Sequence, residues 1–207
     1  MCEVPVFYAT TDGQTRLIAE YLARAFCSHG LESVALDVAN VEAWSVDRAG
    51  VRAVVLGASV HAGKHQTTAA KFAGAHRQWL NKLPSAFYSV SLGIASSNQT
   101  EVQAARALAK TFVEQTGWHP TRIVCFAGRL AYTRYGWLKR MLMRRIARKE
   151  GGPTDTHRDH ELTNFADVAA LASDMAALAR PVVARAAGGF RGNAMSTDGL
   201  QRSRRQV

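Results

Sequence analysis

Apolar positions along the chain follow two rhythms that take turns. Residues 4–9, Val-Pro-Val-Phe-Tyr-Ala, form a short apolar run that reads as a strand. The spacing then changes, and Leu17, Ile18, Tyr21, Leu22, Ala25 and Phe26 recur on one face of a helix. Short runs at 33–38, 53–57, 86–92 and 122–128 predict four further strands. The run at 53–57 is apolar throughout, as suits a central strand of a parallel sheet covered on both faces. Helical spacing returns at 67–80, 101–115, 135–149 and 164–179, and Gly151-Gly152-Pro153 ends the third of these. Strands alternating with helices predict an α/β fold with right-handed crossovers and helices on both faces of one sheet. From residue 180 the chain is rich in Gly, Ala, Ser and Arg without a period, which predicts disorder. The expected organisation is one domain over 1–180 and a tail over 181–207.

In such sheets ligands bind beyond the C-terminal ends of the strands, where the strand order reverses. Three segments, 10–15, 57–66 and 91–100, are predicted to meet there. The first, Thr10-Thr11-Asp12-Gly13-Gln14-Thr15, offers hydroxyls and backbone N–H groups at a helix start, a cradle for a single terminal phosphate. No lysine follows the glycine and there is no G-x-G-x-x-G, so neither a triphosphate loop nor a dinucleotide fingerprint is present. The same residues also suit an ordinary turn with Thr15 or Asp12 as helix cap. In the second segment Gly57, Ala58, Ser59, Val60, His61, Ala62 and Gly63 are mostly small, which lets a flat ring approach the backbone. The third, opening Ser91-Leu92-Gly93, is polar, uncharged and long enough to fold over a ligand. His61 suits either a place beside the ring or solvent. Asn98 suits either a ring-edge contact or a cap for the following helix.

Composition narrows the classes. Of 207 residues 47% are apolar, ordinary for a globular domain, and no apolar run reaches the roughly 20 residues of a membrane span. The N-terminus reads as a strand carrying Glu3, with no secretory pattern expected. Cys2, Cys27 and Cys125 are widely spaced without a C-x-x-C pair, a usage that suits a reducing compartment. The net charge of +10 is concentrated in two places. Residues 129–150 hold eight basic side chains against Glu150, and the tail from Arg180 holds six arginines against Asp198. The remainder is slightly acidic. Within 135–149, Tyr135, Trp137, Leu138, Met141, Leu142 and Ile146 can share one flank of a helix with Lys139, Arg140, Arg144, Arg148 and Lys149 around it. That is the composition of an interfacial helix on an anionic membrane, although such a stripe also suits packing on the sheet. His157 and His160 have a metal-compatible spacing but no third ligand. Six tail arginines with a single aromatic, Phe190, among them are weak evidence for a third reading, an accessory protein that binds nucleic acid. No Ser, His and Asp grouping reads as a nucleophile.

The turn at 10–15, the Gly57-Ala58-Ser59 segment, Pro84-Ser85-Ala86-Phe87-Tyr88-Ser89-Val90 and Gly151-Gly152-Pro153-Thr154-Asp155-Thr156 carry a resemblance. Over residues 4–180 the chain is similar to the flavodoxin-like, quinone-dependent protoporphyrinogen IX dehydrogenases of bacteria. The resemblance implies a flavodoxin-like fold with a five-stranded parallel sheet of order 2-1-3-4-5, and FMN as cofactor. Thr10, Thr11, Asp12, Gly13, Gln14 and Thr15 are then expected around the phosphate. Ala58, Ser59, Val60, His61, Gly63, Ser91, Leu92, Gly93 and Asn98 are expected around the ring. The implied reaction is dehydrogenation of protoporphyrinogen IX in haem biosynthesis, with electrons passed to menaquinone or ubiquinone. The implied place is the cytoplasmic face of the bacterial inner membrane, held peripherally through 135–149. Arg129, Arg134 and Arg140 are candidates to pair with the propionates of the substrate. Residues 91–105 contain no Lys or Arg and one Glu, whereas the corresponding loop of the family is often basic. The arginine-rich tail also departs from the family pattern. A reading from a different class remains beside this one: an electron carrier or FMN-binding module with no substrate of its own.

Overall fold

The computed structural model describes residues 2–130, 157 and 160–180. The expected helix at 135–149, the 151–153 break, Arg134, Arg140 and the tail lie outside the described residues. Five parallel strands form the sheet: β1 (Val6–Ala9), β2 (Ala35–Asp37), β3 (Val54–His61), β5 (Ser85–Ser91) and β6 (Arg122–Ala127). Their spatial order is β2-β1-β3-β5-β6, the 2-1-3-4-5 order of the sequence reading when the parallel strands alone are counted. A sixth strand, β4 (Lys64–His65), pairs antiparallel with the end of β3, and β7 (Arg129–Leu130) forms a separate antiparallel ladder with β8 (His160–Glu161). The helices are α1 (Gln14–Ser28), the short α2 (Val41–Trp44), α3 (Thr67–Leu80), α4 (Gln99–Thr116) and α5 (Phe165–Ala179).

The two-residue period of the strands sorts their side chains onto two cores. Val6, Tyr8, Val55, Tyr88, Val90 and Phe126 meet Ile18, Leu22 and Phe26 of α1 and Val168, Leu171 and Met175 of α5. Phe7, Leu56 and Phe87 point the other way, against Phe72 and Leu80 of α3 and Phe112 of α4. Phe87 stacks on Phe112 with ring centroids 4.4 Å apart. Each large side chain buried in this way contributes about 1.5–3 kcal/mol, so both helical layers are held by the sheet they cover. Among the described residues no helix is long and apolar enough to cross a membrane.

The structure corrects the sequence reading in three places. The second strand is shorter than 33–38, because it lies at the edge of the sheet and Val34 is left 42% exposed. The segment at 57–66 is not a loop. Strand β3 runs on to His61 and folds back as β4, pairing Val60 with His65 and His61 with Lys64. The two turn residues, Ala62 (φ 48°) and Gly63 (φ 74°), both take positive φ, the geometry that matches a tight hairpin to the twist of its strands. The fourth helix starts at Gln99 instead of 101, because Asn98 caps it: its Oδ1 accepts from the Thr100 N–H at 2.9 Å.

Candidate cofactor site

Strand order reverses between β1 and β3, and the three segments singled out from sequence meet beyond their ends. The floor of the site is the start of α1. Gly13 stands at the N-cap in the left-handed region (φ 91°, ψ −9°), where a Cβ is disfavoured. As a glycine it brings no capping side chain of its own, the first turn of the helix holds no acid, and Thr15 is not the cap, since its hydroxyl bonds to no backbone N–H. The Thr15 side chain is fully buried, and its hydroxyl has no hydrogen-bond partner among the described residues. A buried hydroxyl left unpaired is costly unless a ligand completes it.

The neighbouring side chains hold the loop in place. The Gly13 N–H donates to Thr10 Oγ1 at 2.9 Å, so the first threonine fixes the turn and keeps its own hydroxyl hydrogen as a donor. The Gln66 amide donates to Thr11 Oγ1 at 3.1 Å and to Ser59 Oγ, tying the turn to the hairpin. Gln14 behaves differently from the expectation of a phosphate contact. Its amide nitrogen lies 2.8 and 2.9 Å from the two Glu161 carboxylate oxygens and 2.9 Å from Thr163 Oγ1. The Thr163 hydroxyl donates in turn to the Ala127 carbonyl at 2.7 Å. Gln14 therefore buckles α1 to the end of β6 and to β8.

A cavity of about 520 Å³ opens above this floor. Of the residues expected at the site, Thr10, Thr11, Asp12, Gln14, Thr15, Ser59, Val60, His61, Ser91, Leu92, Gly93 and Arg129 line it. Four do not line it. Gly13 acts through its backbone geometry, Ala58 is buried in β3 opposite Ala9, Gly63 sits at the hairpin tip, and Asn98 is the cap of α4. Asn98 thus takes the cap, the second of its two readings, through Oδ1. His61 is exposed and on the cavity wall, which joins both readings of that residue. Ser91 Oγ accepts from the Gly93 N–H at 3.2 Å and caps the short 3-10 turn Leu92–Ala95 that forms the opposite wall.

Val90 and Gly128 also line the cavity and were missed, and Ala62, noted only as a small residue of its segment, lines it too. Gly128 directly follows β6, so the rule that sites gather at strand ends was signal enough to find it. Ala62 needed the hairpin. Glu161 and Thr163 carry no local sequence signal at all, since they reach Gln14 across 147 and 149 residues. Gly57 has a different use from the one its smallness suggested. The flat ring against it is that of Tyr88, and a Cβ added to Gly57 would sit 1.9 Å from Tyr88 Cζ.

The cavity thus combines a helix start with glycine at its N-cap, an unpaired threonine hydroxyl on that helix and apolar lining from Val60, Ala62, Val90 and Leu92. A flavodoxin-domain family model matches residues 5–157. Protoporphyrinogen IX dehydrogenase (quinone) from Escherichia coli strain K12 is 36% identical over 179 residues, covering 84% of this chain and 94% of that protein. The chain belongs to the flavodoxin-domain family, among the protoporphyrinogen IX dehydrogenases (quinone). A relative of the same name from Leishmania major is 33% identical over 174 residues, covering 84% of this chain and 74% of that protein. Among solved structures, a flavodoxin from the domain Archaea covers 85% of this chain and 97% of its own at 15% identity, with a TM-score of 0.46. A flavodoxin domain is a flavin-binding domain, and the residues present fit that group: a glycine-started helix N-terminus beside a largely apolar lining.

Proposed function

We propose that this chain is an FMN-dependent dehydrogenase that oxidises protoporphyrinogen IX and passes the electrons to a membrane quinone. The observation that carries the reaction is the 36% identity to a protein of that activity over 84% of this chain. The site supports FMN as the flavin. A terminal phosphate is the group that a helix start with glycine at its N-cap and the unpaired Thr15 hydroxyl suit without a lysine. FMN, when bound, supplies the two-electron acceptor.

The rest is the work of this chain. The α1 N-terminus, Thr11 and Thr15 hold the phosphate; Val60, Ala62, Leu92 and Gly93 flank the ring. Arg129, on the cavity wall, pairs with a propionate of the tetrapyrrole, joined by Arg134 and Arg140 from the basic segment. Residues 135–149, with aromatic and aliphatic side chains interleaved among Lys and Arg, bring the protein to the anionic face of the inner membrane where the quinone lies. No residue is assigned as catalytic acid or base.

Purified FMN-loaded protein, given protoporphyrinogen and a menaquinone or ubiquinone analogue, is expected to form fluorescent protoporphyrin faster than a free-FMN control. Equal rates in the two overturn the dehydrogenase reading and leave an electron carrier. For the membrane surface, reversing Arg144, Arg145 and Arg148 to Glu is expected to release the protein from anionic vesicles, at about 1 kcal/mol per basic residue. Release on deleting 181–207, with retention of the triple variant, assigns the anchor to the tail instead.

A further inference from the structure

We propose that Tyr88 is a positioning residue for phosphate binding, holding the first turn of α1 from below so that the Thr15 hydroxyl faces the ligand. The inference rests on the reading of this cavity as an FMN site. Tyr88 is completely buried in β5, yet its hydroxyl donates to the Thr15 carbonyl at 2.9 Å, across 73 residues of sequence. The ring reaches α1 because its register partner on β3 is Gly57. With a Cβ at 57 only 1.9 Å from the ring, any other residue there closes the passage. Two positions on neighbouring strands are thus committed to delivering one hydroxyl to one carbonyl.

Packing alone does not ask for that hydroxyl. Phenylalanine fills the same slot, and a buried phenol is a burden unless it is bonded. Burial holds the Tyr88 hydroxyl protonated, with its titration pushed well above the usual tyrosine range, so it is always a donor here. The residue it grips lines the cavity, and its own hydroxyl is buried and unpaired. Thr15 is therefore held through its carbonyl, while its buried hydroxyl is left without a protein partner.

The test compares FMN with riboflavin, which has the same ring and no phosphate, titrated against apoprotein by flavin fluorescence. The native protein is expected to prefer FMN. In Tyr88→Phe the FMN affinity is expected to fall about fivefold to tenfold, the equivalent of one hydrogen bond, while riboflavin affinity stays within about twofold. A general loosening of the fold lowers both affinities together, so a Tyr88→Phe variant that keeps the native FMN-to-riboflavin ratio overturns the proposal whatever its melting temperature. Native protein that binds the two flavins equally well overturns the phosphate reading itself, and the proposal with it. Should the phenylalanine variant not fold, 3-fluorotyrosine at position 88 keeps the ring and makes a more acidic donor. A changed FMN-to-riboflavin ratio then supports the proposal, and an unchanged one overturns it.

Discussion

Helices α1 and α4 both start where a parallel strand ends, yet their first turns are finished in opposite ways. The start of α4 is closed: Asn98 accepts from the Thr100 N–H at 2.9 Å, and Glu101 lies in the first turn against the positive end of the dipole. The start of α5 repeats this, with Asn164 accepting from the Ala166 N–H at 3.0 Å and Asp167 in the first turn. The start of α1 has a left-handed glycine at the N-cap, which brings no capping side chain, no acid in its first turn, and a buried Thr15 hydroxyl without a partner. Every helix leaves orphan N–H groups at its beginning. A helix that satisfies them with its own side chains is scaffold; one that leaves them open over a cavity accepts an anion from outside.

The contrast can be broken most severely at Gly13. Its φ of 91° lies where a β-branched residue is strained by about 1–3 kcal/mol, so Gly13→Val should weaken FMN binding tenfold to a hundredfold. Far-UV circular dichroism should remain that of a folded protein. Retained FMN affinity in this variant means the α1 turn is not the phosphate site.

On the scaffold side, the largest effect is expected from pH. His65 lies in the hairpin against the rings of Phe87 and Phe112, 5.4 and 5.0 Å away, and Nε2 is 2.9 Å from Ser89 Oγ. Burial holds its imidazole down to about 4. The folded state therefore keeps this ring neutral while the unfolded chain takes up a proton below the ordinary histidine value of about 6.5. Its contribution is fully present above about pH 6.5 and lost as the pH falls toward 4. The loss is about 2 kcal/mol, after allowing for the partly solvated edge of the ring. Half-exposed His76, held low by burial and by Arg48, acts with the same sign, so the measurement is the difference in urea stability between native protein and His65→Gln. An identical pH slope in both removes His65 from the account.

Thr15→Val separates function from stability. It replaces an unpaired hydroxyl by a methyl of the same shape, so the apoprotein should melt at the native temperature or above it. FMN affinity should nevertheless fall about tenfold, the worth of a hydrogen bond to a charged group. A lower apoprotein melting temperature with native FMN affinity would reverse the roles assigned to the two helix starts. The smallest effect belongs to Asn98→Ala, which should cost about 1 kcal/mol of stability and leave FMN affinity unchanged.

Much of this protein was legible along the chain because the signals are local. The two-residue and helical rhythms depend on near neighbours, and they placed β1, β5, β6, the start of β3 and all the long described helices close to their observed bounds. The turn at 10–15 was readable for the same reason: a strand, hydroxyls, a glycine and a helix face follow one another without a gap. The hairpin was not, since Ala62 in a left-handed turn is a conformation that alanine alone does not favour and that the pairing of β3 with β4 imposes. Nor could sequence tell that Gln14 turns to Glu161, that Gln66 bridges Thr11 and Ser59, or that Gly57 is small for the sake of Tyr88. These depend on which strands lie side by side and at what register, and that is decided when the two hydrophobic cores close around the sheet. The sequence determined that a strand, two threonines and a glycine run without a gap into the head of α1. Only the tertiary structure left its Thr15 hydroxyl unpaired over the cavity, because the partners that satisfy or withhold such a bond come from strands far along the chain.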